Sequence, residues 1–363
     1  MTALSATQDR RAVLRRQPRR RTVLAALTVL LVLVVLMSLA WGAVEMSLLQ
    51  AVSILGAQIG LDLPWSYTPS QEGVLLSIRL PRAIQGASVG GALAIAGATM
   101  QGLFRNPLAD PQLIGVSGGA ALAAVATIVL GGAVLGATSG LAFQLALPVA
   151  AFIGGGLATL VVYRISNLSG RTVVATMLLA GIAIQSIATA GIGALIFMAD
   201  DTQLRTLNYW LLGSLAGGTW DAVLPTLLFV AGPMLVIPLY ARPLNAFLLG
   251  ESEAGHVGID VERMKRILVS LVALAAGAAV AASGIIGFVG LIVPHILRLV
   301  VGADHRLVLP GSVLLGGALL IGADLVARTI VVPAELPIGV VTSLIGGPFF
   351  IWLIVRTRAR NGL

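Results

Sequence analysis

The stretch at residues 79–120 decides the fold and reads RLPRAIQGASVGGALAIAGATMQGLFRNPLADPQLIGVSGGA. Its first apolar half carries glycines between alanines, at Gly86, Gly90, Gly91 and Gly97. Such small residues make a helix thin, so that neighbouring membrane helices approach it closely. Pro107 and Pro111 then break the backbone, and a second small-residue helix follows from Gly115. Small residues alone indicate close packing of helices in a membrane and nothing more specific.

The composition of the whole chain agrees with a membrane protein. Of its 363 residues, 58% are hydrophobic and 10% are charged, with a mean hydropathy of +0.99. A soluble protein cannot hide that much apolar surface, and the apolar residues form long runs rather than alternating strands. We therefore predict an all-α polytopic membrane protein. The absence of cysteine excludes disulfides and thiolate metal sites.

Ten apolar runs predict about ten transmembrane helices, preceded by a basic, disordered cytoplasmic arm at residues 1–21. The runs lie at 22–40, 83–104, 113–134, 141–163, 173–198, 222–240, 264–282, 287–302, 307–331 and 338–355. An even number of spans leaves both termini on one side. Residues 22–363 are predicted to form a single transmembrane domain.

The distribution of basic residues predicts which side that is. With the N-terminus in the cytoplasm, 19 of the 23 lysines and arginines are cytoplasmic. The exceptions are Arg79, Arg82, Arg205 and Arg328. Cytoplasmic loops of membrane proteins carry such an excess of positive charge, so both termini are predicted to be cytoplasmic. The net charge of +8 therefore reflects membrane orientation and does not indicate a nucleic-acid partner.

A polar segment at residues 242–266, RPLNAFLLGESEAGHVGIDVERMKR, lies in the predicted cytoplasm between two apolar runs. Asn245 is expected to cap a short helix that Gly255 and Gly258 end, and Asp260 to cap the next helix. A helix this short cannot cross a bilayer. It would either lie in a groove of another protein or rest on the membrane surface.

Five ordered motifs resemble the FecCD-type family, the permeases of ATP-binding-cassette (ABC) importers for iron-siderophores, haem and vitamin B12. They are RLPR at 79–82, NPLADP at 106–111, LGESEAGHVGI at 249–259, GIIGFVGLIVPHILRL at 284–299 and ELPIGVVTSLIGGPFFIWL at 335–353. The resemblance covers nearly the whole chain and implies the architecture of a type II ABC importer permease in the bacterial inner membrane.

The resemblance also implies partners. These are a second copy of the chain, two ATPase subunits that bind ATP and magnesium, and a periplasmic substrate-binding protein. The chain itself is predicted to hold no cofactor and to be no enzyme, because a P-loop needs a lysine after its glycine-rich stretch. The only lysine, Lys265, lies in VERMKRIL. No histidine or carboxylate cluster has metal-ligand spacing, and no catalytic constellation is evident.

The family implies roles for three sets of residues. ATPase coupling is expected at Leu249, Gly250, Glu251, Glu253, Gly255 and Gly258. Docking of the binding protein through its glutamates is expected at Arg79, Arg82 and Arg328. The alternative is that Arg79 and Arg82 are interfacial anchors. Asp324, one turn before Arg328, is expected to orient it.

The third set concerns the translocation path. An inner gate is expected where Asn106 and Leu108 end one helix and Val174 and Ala175 begin another, with ordinary helix-end packing as the alternative. Arg205 is expected at the outer end of the path, where a guanidinium attracts anionic substrates. The alternative for Arg205 is an ion pair with a neighbouring aspartate that orders the loop.

The expected substrate is haem, because the wording LFRNPLADP followed by LIGVS is most like the haem branch of the family. Ferric siderophores and vitamin B12 stay open. The histidines at 256, 295 and 305 are all predicted away from the outer mouth, which gives them structural roles. An ion-coupled secondary transporter is a weaker hypothesis, because it needs ionisable groups at mid-membrane and these are scarce.

Overall fold

A computed structural model of the protein describes residues 3–135, 141–168, 171–331 and 334–361. Within them the α-helices are α1 (Ala3–Ala40), α2 (Leu48–Ala57), α3 (Pro69–Val74), α4 (Leu80–Leu103), α5 (Val116–Leu135), α6 (Leu141–Ser166), α7 (Val174–Met198), α8 (Asp201–Leu211), α9 (Trp220–Val236), α10 (Ala241–Phe247), α11 (Glu251–His256), α12 (Val261–Ser283), α13 (Val289–Val301), α14 (His305–Thr329) and α15 (Ile338–Asn361). Two-residue strands β1 (Asn167–Leu168) and β2 (Arg171–Thr172) pair between α6 and α7. The all-α fold is confirmed.

Each of the ten predicted apolar runs is helical in the described part of the chain. Among the described residues, seven segments are long and apolar enough to cross a membrane, namely Arg20–Ala40, Pro69–Leu103, Leu145–Ser166, Val174–Met198, Trp220–Phe247, Val261–Ser283 and His305–Thr329. The other three runs form the shorter apolar helices α5, α13 and α15. The 13 residues of α13 rise about 20 Å, less than the ~30 Å hydrocarbon core. The count of ten spans and the sides of the termini stay predictions.

Two polar caps place helices that the apolar pattern did not predict. The second span begins at Pro69 rather than at residue 83, because Thr68 and Gln71 form a capping box that starts the helix before the apolar run. Ser47 and Gln50 form another at the start of α2. The basic arm was predicted to be disordered, but residues 3–21 are helical, because α1 runs without a break from Ala3 into the first span.

The core is organised around α4, which is buried along nearly its whole length. It packs against α14, α12, α13 and α9. A Cβ atom on Gly90 would overlap the carbonyl oxygen of Gly316 in α14, and one on Gly97 would overlap that of Gly290 in α13. The predicted role of these glycines in close helix approach is therefore confirmed. A second group, α5, α6 and α7, packs beside this core.

Candidate coupling, gating and docking sites

The segment at 242–266 folds into two short helices that precede α12. Gly250 has a φ of +137° and turns the chain between α10 and α11, and Gly258 has a φ of +85° and ends α11. Asp260 then caps α12, accepting a hydrogen bond from the amide of Arg263 at 3.0 Å. The predictions for Gly258 and Asp260 are confirmed. Gly255 lies inside α11 and does not end it.

Asn245 does not cap a helix, which corrects the sequence prediction. It lies inside α10, where its amide group reaches the start of α14. Its Nδ2 donates to Asp304 Oδ1 at 2.6 Å, and its Oδ1 accepts from the backbone amide of His305 at 2.9 Å. The 3-10 turn Ile237–Tyr240 leads directly into α10, so Asn245 lies within the helix and its side chain ties α10 to α14.

The segment at 242–266, called the coupling segment from here on, exposes acidic and apolar side chains that no other described part of the chain covers. Leu249 is 80% exposed and Val257 is 70% exposed, and both flank α11. Glu253 is exposed beside them. Glu251 is also exposed, with its side chain 48% accessible, but its carboxylate pairs with Lys265 at 2.6 Å. Exposed apolar side chains on a short helix held between two fixed turns fit a groove on another protein.

The predicted gate residues lie at the ends of α4 and α7. Asn106 Oδ1 accepts from the amide of Leu108 at 2.9 Å, which forms a local turn with Leu108 half exposed. Val174 and Ala175 are the first residues of α7. Both ends adjoin the coupling segment: the Arg105 guanidinium lies 5.7 Å from the centre of the Phe247 ring, and Thr172 contacts Lys265.

Asp110, in the turn after α4, is a buried carboxylate that the sequence analysis did not single out. Its Oδ1 accepts from the amide of Gln112 at 2.8 Å. Burial raises the pKa of Asp110 to about 6, and the hydrogen bond from Gln112 offsets only part of that effect. This group therefore changes charge close to neutral pH beside the predicted gate.

The three arginines predicted to dock the binding protein, Arg79, Arg82 and Arg328, all have partners within the chain. Arg79 is 3% exposed and donates to the backbone carbonyls of Leu39, Ala40 and Val44, which fixes the loop after α1. Three carbonyl acceptors leave this guanidinium little capacity for a partner protein's carboxylate. The geometry of Arg79 thus supports neither a free docking charge nor a snorkelling anchor.

Arg82 and Arg328 share a buried aspartate. Arg82 Nη2 lies 2.7 Å from Asp324 Oδ1 and 2.8 Å from Glu335 Oε2. Arg328 lies 3.8 Å from Asp324 Oδ2 and donates to Ser38. The expected pairing of Asp324 with Arg328 is present, but its closer partner is Arg82 on another helix. Sequence spacing could not show this contact, nor the one with Glu335, across more than 240 residues.

At the C-terminal end of α7, the short helix α8 presents Arg205. Asp200 caps α8 and is engaged by Gln203, whose backbone amide donates to it at 2.8 Å. Arg205 is exposed and makes no ion pair with a described residue, so the expected alternative of a bridge to Asp200 or Asp201 is not formed. Tyr209, 62% exposed, follows one turn later on the same face.

Backbone contacts fix the direction of α8. The amide of Ser214 donates to the carbonyl of Ser283 at 2.8 Å, and that of Gly339 donates to the carbonyl of Leu212 at 2.9 Å. Gly213, with a φ of +72°, lies so close to the backbone just after α12 that a Cβ would come 2.6 Å from the carbonyl oxygen of Ile285. The ends of α8 and α12 and the start of α15 therefore form one rigid junction.

A stripe of small and polar residues runs along the exposed surface of α7, at Ala183, Ser186, Thr189, Ala190 and Gly193. Large apolar residues are exposed on the same helix, at Leu179, Ile182, Ile187, Phe197 and Met198. Small residues suit close approach of another helix, whereas large apolar residues also suit lipid tails. The surface of α7 is therefore mixed, and only its stripe of small residues points to a helix neighbour.

Comparison with known proteins agrees with this geometry. The model of the FecCD transport family matches residues 30–356. The chain belongs to the FecCD transport family. The hemin transport system permease protein HmuU of Yersinia pestis is 43% identical over 79% of this chain and 85% of its own length. The cobalamin import system permease protein BtuC of Halobacterium salinarum is 42% identical, over 78% of this chain and 74% of its own length.

A solved structure shows the same fold. It is a metal-chelate type ABC transporter in an inward-facing conformation, with a TM-score of 0.80 and 30% sequence identity. The alignment covers 93% of this chain and 99% of that one. As a FecCD protein, the chain is a multi-pass membrane protein and the permease component of an ABC importer. This component lacks the ATPase site, and no described residues form a group of three or more metal-ligating side chains.

Proposed function

We propose that this FecCD permease carries haem across the bacterial inner membrane, as a homodimer with two ATPase subunits and a periplasmic binding protein. The observation that carries the choice of an anionic substrate is Arg205, an unpaired guanidinium on the exposed face of α8. Haem presents carboxylates, which a guanidinium binds by charge-assisted hydrogen bonds. Tyr209 on the same face adds a ring that can contact the macrocycle.

Two further observations favour haem. The Yersinia pestis relative is named as a hemin permease and is 43% identical. The wording of the segment from Leu103 to Ser117 is most like the haem branch. Cobalamin is the second candidate, because the Halobacterium salinarum relative is named for cobalamin import and is 42% identical. A ferric siderophore is the third, since the similar solved structure is of metal-chelate type.

The stripe of small and polar residues on α7 supports the homodimer. This stripe would meet the same stripe of a second copy, and the path would run between them. At the cytoplasmic end, the gate would consist of Asn106 and Leu108 together with Val174 and Ala175. An apolar constriction of this kind closes by packing and loss of water rather than by charge.

The coupling segment supports the ATPase partners. The exposed Leu249 and Val257, with Glu253 beside them, would enter a cleft of the ATPase, while Gly250 and Gly258 hold α11 at a fixed angle. An ion-coupled secondary transporter would have no use for such a projection. The buried charges near the outer side, at Arg82 and Asp324, are paired with each other, as structural ions are.

The binding protein would dock through Arg82 rather than through all three of the predicted arginines. Arg82 holds Asp324, which is 3% exposed, and Glu335, whose side chain is 41% exposed. A carboxylate of the binding protein would replace Glu335 at the exposed side of Arg82. Arg79 and Arg328 would then act as supports of this surface, because Arg79 is bonded to three backbone carbonyls and Arg328 to Ser38 within the chain.

The test is reconstitution of the permease in proteoliposomes with its ATPase and binding protein. ATP hydrolysis would be measured with the binding protein empty, or presented with haem, a ferric siderophore or cobalamin. We expect haem to stimulate hydrolysis and cobalamin to leave it at the level of the empty protein. Stimulation by cobalamin or a ferric siderophore without stimulation by haem would contradict the haem assignment and leave the importer class intact.

A further inference from the structure

The single lysine of the chain joins the coupling segment to α12 and to the strand that precedes α7. Lys265 is 3% exposed. Its Nζ donates to Glu251 Oε1 at 2.6 Å, to Glu262 Oε1 at 3.1 Å and to the carbonyl oxygen of Thr172 at 3.1 Å. An ammonium group has three N–H donors, so each of them has its own acceptor. The three acceptors come from three different elements: α11, α12 and β2.

The contact with Thr172 fixes the start of α7. The other carboxylate oxygen of Glu262 accepts from the backbone amide of Thr172 at 3.0 Å, so both backbone groups of Thr172 are held by α12. The next residue, Val173, donates its amide to the carbonyl of Ser166 at 3.0 Å, and α7 begins at Val174. Only one residue separates the clamped strand from the predicted gate.

A buried ring completes this junction. Phe247 in α10 is 1% exposed, and the Nζ of Lys265 lies 6.0 Å from its ring centre. The Arg105 guanidinium, which follows α4, lies 5.7 Å from the same ring. Cations at these distances are attracted to an aromatic ring. Both ends of the predicted gate therefore meet the coupling segment at Phe247 and Lys265.

Stability alone does not account for a charged group at this place. Replacing a buried ionic cluster by apolar side chains of similar volume is often neutral or stabilising. A fully satisfied cluster instead fixes the geometry of the groups it joins. Here those groups are the element predicted to contact the ATPase and the element predicted to close the path.

We propose that Lys265 is a positioning residue that makes α11 and the cytoplasmic start of α7 move as one body. Motion of the ATPase at α11 then reaches Val174 through Glu251, Lys265 and Thr172. The inference rests on the proposed importer function, because it needs an ATPase that moves α11. Its structural part, the rigid link itself, is measurable in the full chain without any partner.

The structural part is tested by spin labels on Glu253→Cys and Ala175→Cys in one chain, diluted with unlabelled protein. Both sites are exposed, and the native chain has no cysteine to interfere. We expect a narrow distance distribution that broadens with Lys265→Met. The matched control is Arg266→Met, which removes an exposed charge from the next position of α12. An unchanged distribution in Lys265→Met would overturn the proposal.

The functional part is tested in the reconstituted importer by the number of haem molecules transported per ATP hydrolysed. We expect Lys265→Met to lower this ratio roughly tenfold, the effect of losing a hydrogen bond to a charged group, and Arg266→Met to keep it. If Lys265→Met does not fold, Glu251→Gln takes its place, because Glu251 lies at the more exposed end of the cluster. We expect Glu251→Gln to lower the same ratio of haem transported to ATP hydrolysed.

Two outcomes would overturn the functional part. The first is an unchanged ratio in both Lys265→Met and Glu251→Gln. The second is that the amount of assembled complex falls in proportion to transport, while the complexes that remain transport as much haem per ATP as the wild type. If the wild-type complex neither transports haem nor hydrolyses ATP in response to loaded binding protein, the proposed function fails instead, while the spin-label result still decides the rigid link.

Discussion

Arg205 is the residue on which the choice of an anionic substrate depends. We predict that Arg205→Ala lowers haem transport roughly five- to tenfold while thermal stability stays within experimental error, because the exposed guanidinium makes no ion pair with any described residue. Arg205→Lys should restore part of the rate if charge suffices. The difference in haem transport rate between the wild type and Arg205→Ala should shrink as ionic strength rises, since salt screens an exposed charge. Lost stability with unchanged transport per folded protein would instead make Arg205 a scaffold residue.

Asp110 gives a prediction about pH. Burial raises its pKa to about 6, above the ordinary 3.8, so the folded chain binds a proton that the unfolded chain releases between these values. The stabilising contribution is complete below about pH 4 and is lost as pH rises through 6. Asp110→Asn keeps an oxygen for the amide of Gln112 and has no proton to lose.

Thermal unfolding in detergent checks this sign. Relative to Asp110→Asn, the wild type should lose stability between about pH 4 and pH 7, by at most about 3 kcal/mol for a pKa shift of about two units. A pH dependence that is the same in both proteins would show that Asp110 is not the group responsible.

At the scale of elements, the buried pair of Arg82 and Asp324 joins α4 to α14. Asp324→Asn would leave Arg82 partly uncompensated in a buried site, and we expect it to lower the free energy of unfolding by about 3 kcal/mol or more. Glu335→Gln is the matched control. Its carboxylate is 41% exposed, so its loss should cost less than about 1 kcal/mol. Equal effects of the two substitutions would contradict the assigned roles.

The two glycines of the coupling segment give a second contrast between elements. Gly258 has a φ of +85° and open space around it, so Gly258→Val costs backbone strain of about 1–2 kcal/mol and redirects α11 against α12. Gly255 also has open space, but lies inside α11, where Gly255→Ala should be neutral or stabilise by up to about 1 kcal/mol. ATPase stimulation by the purified complex should fall only for Gly258→Val. Wild-type stimulation from that variant would remove the proposed role of the turn.

The elements also show what local sequence can predict. Gly258 and Asp260 were predicted because a left-handed turn and a helix cap depend on neighbouring residues. Helix α2 was missed because its apolar run, Leu48–Ala57, is far too short to cross a membrane and therefore lies outside the ten predicted spans. Gly255 was misassigned because a glycine that ends a helix and one inside it look alike in sequence.

For the whole molecule, composition and motif order predicted the all-α membrane fold and the FecCD family, since both depend on the sum of many residues. The charge clusters could not be predicted. Lys265 with Thr172, and Arg82 with Asp324, join positions 93 and 242 residues apart, and only the packed helices bring them together. The same packing showed that Arg79 is held by the chain.

We propose above that this chain forms the conduit of an ATP-driven haem importer. The most direct test is accumulation of haem inside proteoliposomes that contain the permease and its ATPase, with loaded binding protein outside and ATP inside. We predict uptake that requires hydrolysis, and therefore stops with a non-hydrolysable ATP analogue or without the ATPase. Uptake at the same rate without ATP hydrolysis, or driven by an ion gradient alone, would contradict the account.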